Sequence, residues 1–358
     1  MINHSNREPL SANCVIRAAL SAELISADDV INRGVDVEQV GRSHSVFKLS
    51  LAGEPLAFIK SFGETRGETD GNIARERAII ELARSRQPVK ELVAAEQKWK
   101  PNGMELATKP VIGKSAWEVD KPGGGSLSVE QAWTELCAGV LTRLSNFHRA
   151  TRDIAENNGK DYPALANQVP WALKLFNGDT PKELWQTPTI SSLLSDASQT
   201  PALVGGIRCA RRLWRPMCVI HADLKHDNIV LNDTKAIIID WEMARVGDPA
   251  WDLAGLCSRF LLIASHGNGW SDLEHRCIAL LVSIYASQSG LDRVILTRRV
   301  LQYIGAWTFM AAIQHQSTLN SNELSKSSAS MLQKSIATFQ QAQVIEEHIL
   351  RHIDLGKT

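Results

Sequence analysis

Apolar and polar positions recur along this chain with two different periods, and each change of period marks a change of element. Residues 11 to 31 carry apolar side chains at helical spacing and predict a leading helix. From Val35 the pattern shortens to β-like runs, Val46 to Leu51 and Leu56 to Phe62, with Gly53-Glu54-Pro55 turning between them. Residues 67 to 86 return to the helical period, with Ile73, Ile79, Ile80 and Leu82 as candidate core positions. Two further short segments, Glu96 to Lys100 and Met104 to Lys109, flank a Pro101-Asn102-Gly103 turn and would complete a small sheet.

The clearest linker is Lys121-Pro122-Gly123-Gly124-Gly125-Ser126. After it, Ser128 and Gln131 have capping-box spacing for a helix that places Leu136, Val140, Leu144 and Phe147 on one face. Three brief apolar runs follow, Met217 to Ile220, Ile229 to Leu231 and Ala236 to Ile239, each short enough for a buried strand. Segments 271 to 289, 294 to 318 and 328 to 353 predict long helices. The organisation expected is an amino-terminal lobe at 1–109, a connector and linker at 110–126, and a carboxy-terminal lobe at 127–358.

A chain of 358 residues buries a sizeable core and favours two domains or lobes. Its 39 basic and 39 acidic residues cancel, which removes the global field expected of a partner for nucleic acid or a membrane surface. No apolar run approaches the roughly 18 residues of a membrane span, and Met1 to Pro9 is polar, unlike a secretory leader. The six cysteines show neither Cys-x-x-Cys pairing nor zinc spacing, so buried thiols in a reducing compartment, and a cytoplasmic location, are the expectation.

The chemistry concentrates between residues 221 and 252. Asp223, Asn228 and Asp240 are three oxygen-bearing side chains around a loop and two short strands. Phosphoryl transfer needs that set: one carboxylate to orient the attacking hydroxyl or take its proton, and an amide oxygen with a second carboxylate to hold Mg²⁺ on nucleotide phosphates.

His221-x-Asp223-x-x-x-x-Asn228, Ile239-Asp240-Trp241-Glu242 and Gly247-Asp248-Pro249-x-Trp251-Asp252-Leu253-Ala254 follow one another in order. Together they resemble the aminoglycoside phosphotransferase and choline kinase family, the small-molecule branch of the kinase-like superfamily. Protein kinases share part of the first motif, but they carry Gly where Glu242 stands. This chain also has no Ala-Pro-Glu element and no room for an activation loop between Asp240 and Pro249. The resemblance implies an α+β, two-lobed kinase-like fold, a small antiparallel sheet with one helix preceding a mostly helical lobe. It implies an ATP- and Mg²⁺-dependent kinase whose partner is a small-molecule hydroxyl acceptor.

On the resemblance, Asp223 is the catalytic residue, and Asn228 and Asp240 hold the metal. His221 supports the loop, and Asp252 accepts hydrogen bonds from the loop backbone. Lys225 either reaches the transferred phosphate or is a solvated lysine. Lys60, at the end of Ala57-Phe58-Ile59, resembles the strand lysine that neutralises nucleotide phosphates, with Glu76 as its ion-pair partner and Glu81 as the alternative. The Gly41 to Ser45 loop has one glycine, so Ser43 or Ser45 is expected to contact phosphate alongside backbone amides. The nucleotide base is assigned to backbone around Glu105 and Ala107. Glu242 and Arg245 read equally as pocket residues or as a local ion pair, and Trp241 as core. Residues 260 to 358 hold seven acidic and eight basic residues, which disfavours a polycationic acceptor. The Asp240-Trp241-Glu242 wording resembles the choline kinase-like subset, which implies monocationic amino alcohols as acceptors. A protein kinase and a non-catalytic nucleotide-binding protein are the alternatives.

Overall fold

A computed structural model describes residues 11–40, 45–61, 68–95, 105–111, 114–115, 128–176, 188–232, 235–264, 270–319 and 324–355. They form two compact units, Met1–Gly113 with Ile237–Met243, and Lys114–Ala236 with Ala244–Thr358.

The first unit opens with α1 (Ala12–Ser21), capped by the Ser11 hydroxyl, which accepts from the Cys14 amide. This helix is shorter than the predicted 11–31 span. Glu23 takes a positive φ of 56°, and the Asp29 carboxylate accepts from the Ser26 amide at 2.8 Å, so a separate turn begins there. Four antiparallel strands follow in the order β1 (Val35–Gln39), β2 (Ser45–Leu51), β3 (Glu54–Ser61) and β4 (Glu105–Thr108). Sequence reasoning named no strand at β1. It also placed the β2–β3 turn one step late: Ala52 and Gly53 carry the positive φ values, 53° and 84°, as a tight hairpin requires, while Glu54 and Pro55 already belong to β3. One sheet face buries Phe47, Leu49, Ala57, Ile59 and Ala107 against Val15 and Ala19 of α1. The helix α2 (Glu68–Ser85) and the short α3 (Gln87–Lys90) lie between β3 and β4 in sequence. The expected strand at 96–100 and the loop residue Ser43 lie outside the described residues, as does the 121–126 linker.

The segment Ile237–Met243 joins the first unit through backbone. The Ile238 amide donates to the Leu92 carbonyl at 2.7 Å, and Val93 bridges Ile238 in parallel.

The second unit is mostly helical. The Ser128–Gln131 capping box starts α4 (Val129–Ala150), whose Trp133, Leu136, Val140, Leu144 and Phe147 are fully or almost fully buried. After α5 (Arg152–Glu156) come α6 (Pro188–Ser198) and α7 (Pro201–Leu213). Short strands then alternate with loops: β5 (Lys114–Ser115) pairs with β7 (Ile229–Asn232), which is followed by β8 (Lys235–Ile238), and β6 (Cys218–Ile220) pairs with β9 (Arg245–Gly247). The remainder is α8 (Pro249–Ala264), α9 (Asp272–Ser289), α10 (Arg293–Thr318), α11 (Lys326–Gln340) and α12 (Ala342–Leu355). The predicted helix over 328–353 is therefore two. No Gly or Pro marks the break at Gln341. The chain changes partner there, α11 packing on α10 and α12 chiefly on α9. The six cysteines are free thiols, four of them buried. Among the described residues no helix is long and apolar enough to cross a membrane.

Candidate active site

In the first unit, Lys60 sits on β3 with Ala57 and Ile59 buried beside it. Its Cα partners are Val46 on one side and Leu106 on the other. Its ammonium meets Glu76 of α2 at 3.3 Å and Glu242 at 2.7 Å, and it also pairs with Asp240. Glu81, the alternative partner, is exposed on α2. Asp240 follows β8 with φ 68°, a left-handed conformation that Asp tolerates better than most residues. The next turn is fixed by buried Trp241, whose indole N–H donates to the Ile238 carbonyl at 2.8 Å. Arg75 of α2 adds a second tie, its Nε donating to the Glu242 carbonyl at 2.5 Å.

One ammonium thus faces three carboxylates. Burial works against the Lys60 charge, but Glu76, Asp240 and Glu242 outweigh it and hold the amine protonated, its pKa raised. Glu76 shows the converse. Burial pushes its carboxyl up to about 7, with Lys60 opposing and the other two carboxylates adding to the rise. One ligand oxygen from each of Glu76, Asp240 and Glu242 lies within 4.8 Å of the others. Hard oxygen donors carrying more negative than positive charge suit a magnesium ion, with waters completing its shell. The sequence left Glu242 open between a pocket residue and a local ion pair with Arg245; in the structure its ion-pair partner is Lys60, within this cluster.

In the second unit the 221–228 loop connects β6 to β7 and is tied at several atoms. Asp252, wholly buried on α8, accepts from the His221 amide at 2.8 Å and the Ala222 amide at 2.9 Å. The Trp251 indole donates to the Ala222 carbonyl at 3.1 Å. These bonds over-determine Ala222, whose φ of 67° is costly for an alanine. The His221 Nδ1 accepts from the Asp223 amide at 3.2 Å. The Asn228 amide nitrogen donates to the Asp223 carbonyl at 2.9 Å, which leaves its oxygen as the atom available to a cation. Lys225 Nζ lies 2.7 Å from Asp223 Oδ2. Gly255 lets α8 seat this closely, since a Cβ there would lie 2.5 Å from the Leu224 carbonyl oxygen.

Behind Asp252, His148 of α4 is hydrogen-bonded to its Oδ2 at 3.2 Å and to the Tyr285 hydroxyl at 2.7 Å. Asp248 anchors a second buried network, accepting from Arg299 at 3.1 Å, the Tyr303 hydroxyl at 2.9 Å and the Ala250 amide at 3.0 Å. Burial raises the Asp248 pKa, against the pull of the Arg299 guanidinium. Neither network was anticipated.

Arg245 is buried on β9, opposite Ile220. The side chains of Ser45 and Glu105 lie outside the description, although both residues are in strands; Ala107 is buried and pairs with Ile59.

A sequence model, described as the phosphotransferase enzyme family, matches residues 28–274. The chain belongs to the phosphotransferase enzyme family. As a member it is a phosphotransferase, a kinase of the small-molecule class. No curated protein matches the sequence. Among solved structures, this phosphotransferase is similar to a choline kinase from Cryptosporidium parvum Iowa II, 13% identical, covering 94% of this chain and 97% of that one with a TM-score of 0.57. It is also similar to the GDP complex of an aminoglycoside 2′-phosphotransferase IIIa mutant, at 14% identity, coverage of 95% and 98%, and a TM-score of 0.53. A third is an amicoumacin kinase in complex with AMP-PNP and Ca²⁺, at 14% identity, coverage of 94% and 93%, and a TM-score of 0.56. At these identities the likeness establishes a kinase-like fold.

The role of Asp252 in the phosphotransferase has a direct consequence. Asp252→Ala would leave two buried amides unsatisfied, each costing about 1–3 kcal/mol. The variant is expected to unfold at lower urea concentration than the parent, and an unchanged midpoint would refute the supporting role.

Proposed function

We propose that the enzyme transfers the γ-phosphoryl group of ATP, as its magnesium complex, to a hydroxyl of a small molecule, with monocationic amino alcohols as the first acceptor class. The observation that carries the reading is the convergence of Lys60, Glu76, Asp240 and Glu242, one lysine among three carboxylates. A lysine held protonated by neighbouring carboxylates can neutralise nucleotide phosphates, and a carboxylate cluster can hold the divalent ion that accompanies them.

Asp240, with the amide oxygen of Asn228, is assigned to that ion, which supplies charge neutralisation at the phosphates when bound. Asp223 orients the acceptor. The acceptor oxygen bonds to the γ-phosphorus as the bond to the β–γ bridging oxygen breaks, ADP leaves, and the hydroxyl proton passes to Asp223 and then to solvent. Lys225, paired with Asp223, positions that carboxylate and offers its ammonium to a phosphoryl oxygen. Loose phosphoryl transfer asks little covalent chemistry of a protein, so positioning of this kind carries most of the catalysis.

A protein acceptor is disfavoured, because the span between Asp240 and Pro249 is taken up by the Trp241–Met243 turn and β9. A polycationic acceptor is disfavoured by the near balance of seven acidic and eight basic residues in 260–358.

The test is magnesium-dependent ADP release from ATP across pooled amino alcohols, aminoglycosides, other antibiotics, amino acids and sugars, repeated with GTP. Stimulation by the amino alcohol pool is the expected result. Stimulation by another pool alone would replace the acceptor class, and failure to bind either nucleotide would overturn the reading.

A further inference from the structure

A second cluster of ligand-type side chains lies in the second unit, where α9 packs on α12. His275 stands one turn into α9, only 7% exposed, and both of its ring nitrogens are closed to solvent without a hydrogen-bond partner among the described residues. A neutral imidazole carries one donor and one acceptor, and burial of both unmet calls for a partner. The ring is held in place, lying parallel to the Trp270 indole at 6.0 Å, which is itself fixed by a hydrogen bond from its N–H to the Thr338 hydroxyl at 3.2 Å. It meets the ring of His348 on α12 at 5.1 Å between centroids, inclined by 62°.

Two imidazoles bound to one tetrahedral ion through N–metal bonds of roughly 2.0–2.1 Å place their centroids about 5 Å apart. The His275–His348 separation has that value. His352 lies one turn beyond His348 on the same face of α12, and its Nε2 is 2.9 Å from Asp272 Oδ1. A carboxylate on one ring nitrogen is the usual way a ligating histidine is oriented, with the other nitrogen left for the ion.

We propose that α9 and α12 carry a binding site for one divalent transition-metal ion of the zinc class, with His275, His348 and His352 as nitrogen ligands and Asp272 as the orienting carboxylate. Exposed His348 and partly exposed His352 gather the set by side-chain rotation, since among the described residues only the Glu76–Asp240–Glu242 oxygens already converge. Two cations stand near the set: Lys334 is taken up by buried Glu274 at 2.7 Å, and the Arg276 guanidinium pairs with the second oxygen of Asp272. A bound ion would clamp the carboxy-terminal helix to α9. It would be distinct in donor chemistry from the oxygen cluster, which suits magnesium.

Cobalt(II) is the probe, added to the full-length protein with magnesium in excess. The expected result is visible absorption of a tetrahedral nitrogen-ligated ion, saturating at one equivalent and displaced by Zn²⁺. His348→Ala and His352→Ala, both at positions not fully buried, should each weaken cobalt affinity about tenfold or more without moving the metal-free melting temperature. Asp240→Ala should leave the cobalt signal intact. No signal, or a signal that survives both histidine variants, would overturn the site. Loss of the signal in Asp240→Ala would assign the ion to the carboxylate cluster instead.

Discussion

Asp223→Asn is expected to lower turnover by about 10²–10⁴-fold, the range spanned by general acid–base contributions, while magnesium-nucleotide affinity stays close to that of the parent. The amide has the shape of the carboxylate but cannot take up the acceptor proton, so hydroxyl positioning weakens and proton acceptance is lost. The loop should survive the change. His221 Nδ1 receives the backbone amide of residue 223, and Asn228 donates to its backbone carbonyl, so neither bond needs the side chain. The pair with Lys225 is lost, but both partners are partly exposed and such pairs contribute roughly 0–1 kcal/mol. Steady-state ADP release together with calorimetric nucleotide binding separates the two effects. Unchanged turnover would remove Asp223 from the chemistry, and parallel loss of nucleotide affinity would point to a distorted loop.

The second unit was most legible where local pattern and chemistry coincide. Short apolar runs bracket the 221–228 loop, and within such a frame an Asp, an Asn and a buried Asp have few ways to be satisfied. The two amides that Asp252 accepts from are the kind of partner a buried carboxylate demands. The Lys60–Glu76 pair was legible through the resemblance, since a lysine ending an apolar strand before a helix and the Arg75-Glu76 wording on that helix match the family's pattern. What escaped the sequence was tertiary. His148 follows Phe147 at the end of an apolar helix face, and its bonds to Asp252 and Tyr285 depend on residues 104 and 137 positions away. Glu242, left open between a pocket residue and a local ion pair, meets Lys60 from a turn that follows the left-handed Asp240 and lies far along the chain from β3. Arg299 and Tyr303, one turn apart on α10, reach Asp248 across 51 and 55 residues. The division at Gln341 had no sequence signal, because the apolar period continues through it while the packing partner changes.

Asp240→Ala is expected to abolish magnesium-dependent nucleotide binding, a loss on the order of 100-fold or more, since even residues behind metal ligands cost 10–100-fold when replaced. Removing this carboxylate takes one oxygen from the three that converge, and it takes from Lys60 one of its three acidic neighbours. The cluster should not collapse, because Lys60 keeps Glu242 at 2.7 Å and Glu76 at 3.3 Å, and the following turn keeps its Trp241 and Arg75 anchors. The backbone is the complication. At φ 68° alanine is strained where Asp and Asn are tolerated, so Asp240→Ala alone could act through the turn. Asp240→Asn separates the causes, keeping the left-handed tolerance and one oxygen but not the charge. If the metal role holds, Asp240→Asn also loses most magnesium-dependent affinity while its thermal midpoint stays at that of the parent. If the turn alone matters, Asp240→Asn binds magnesium-nucleotide normally and only Asp240→Ala fails. Titration of ATP with and without magnesium on both variants decides between them.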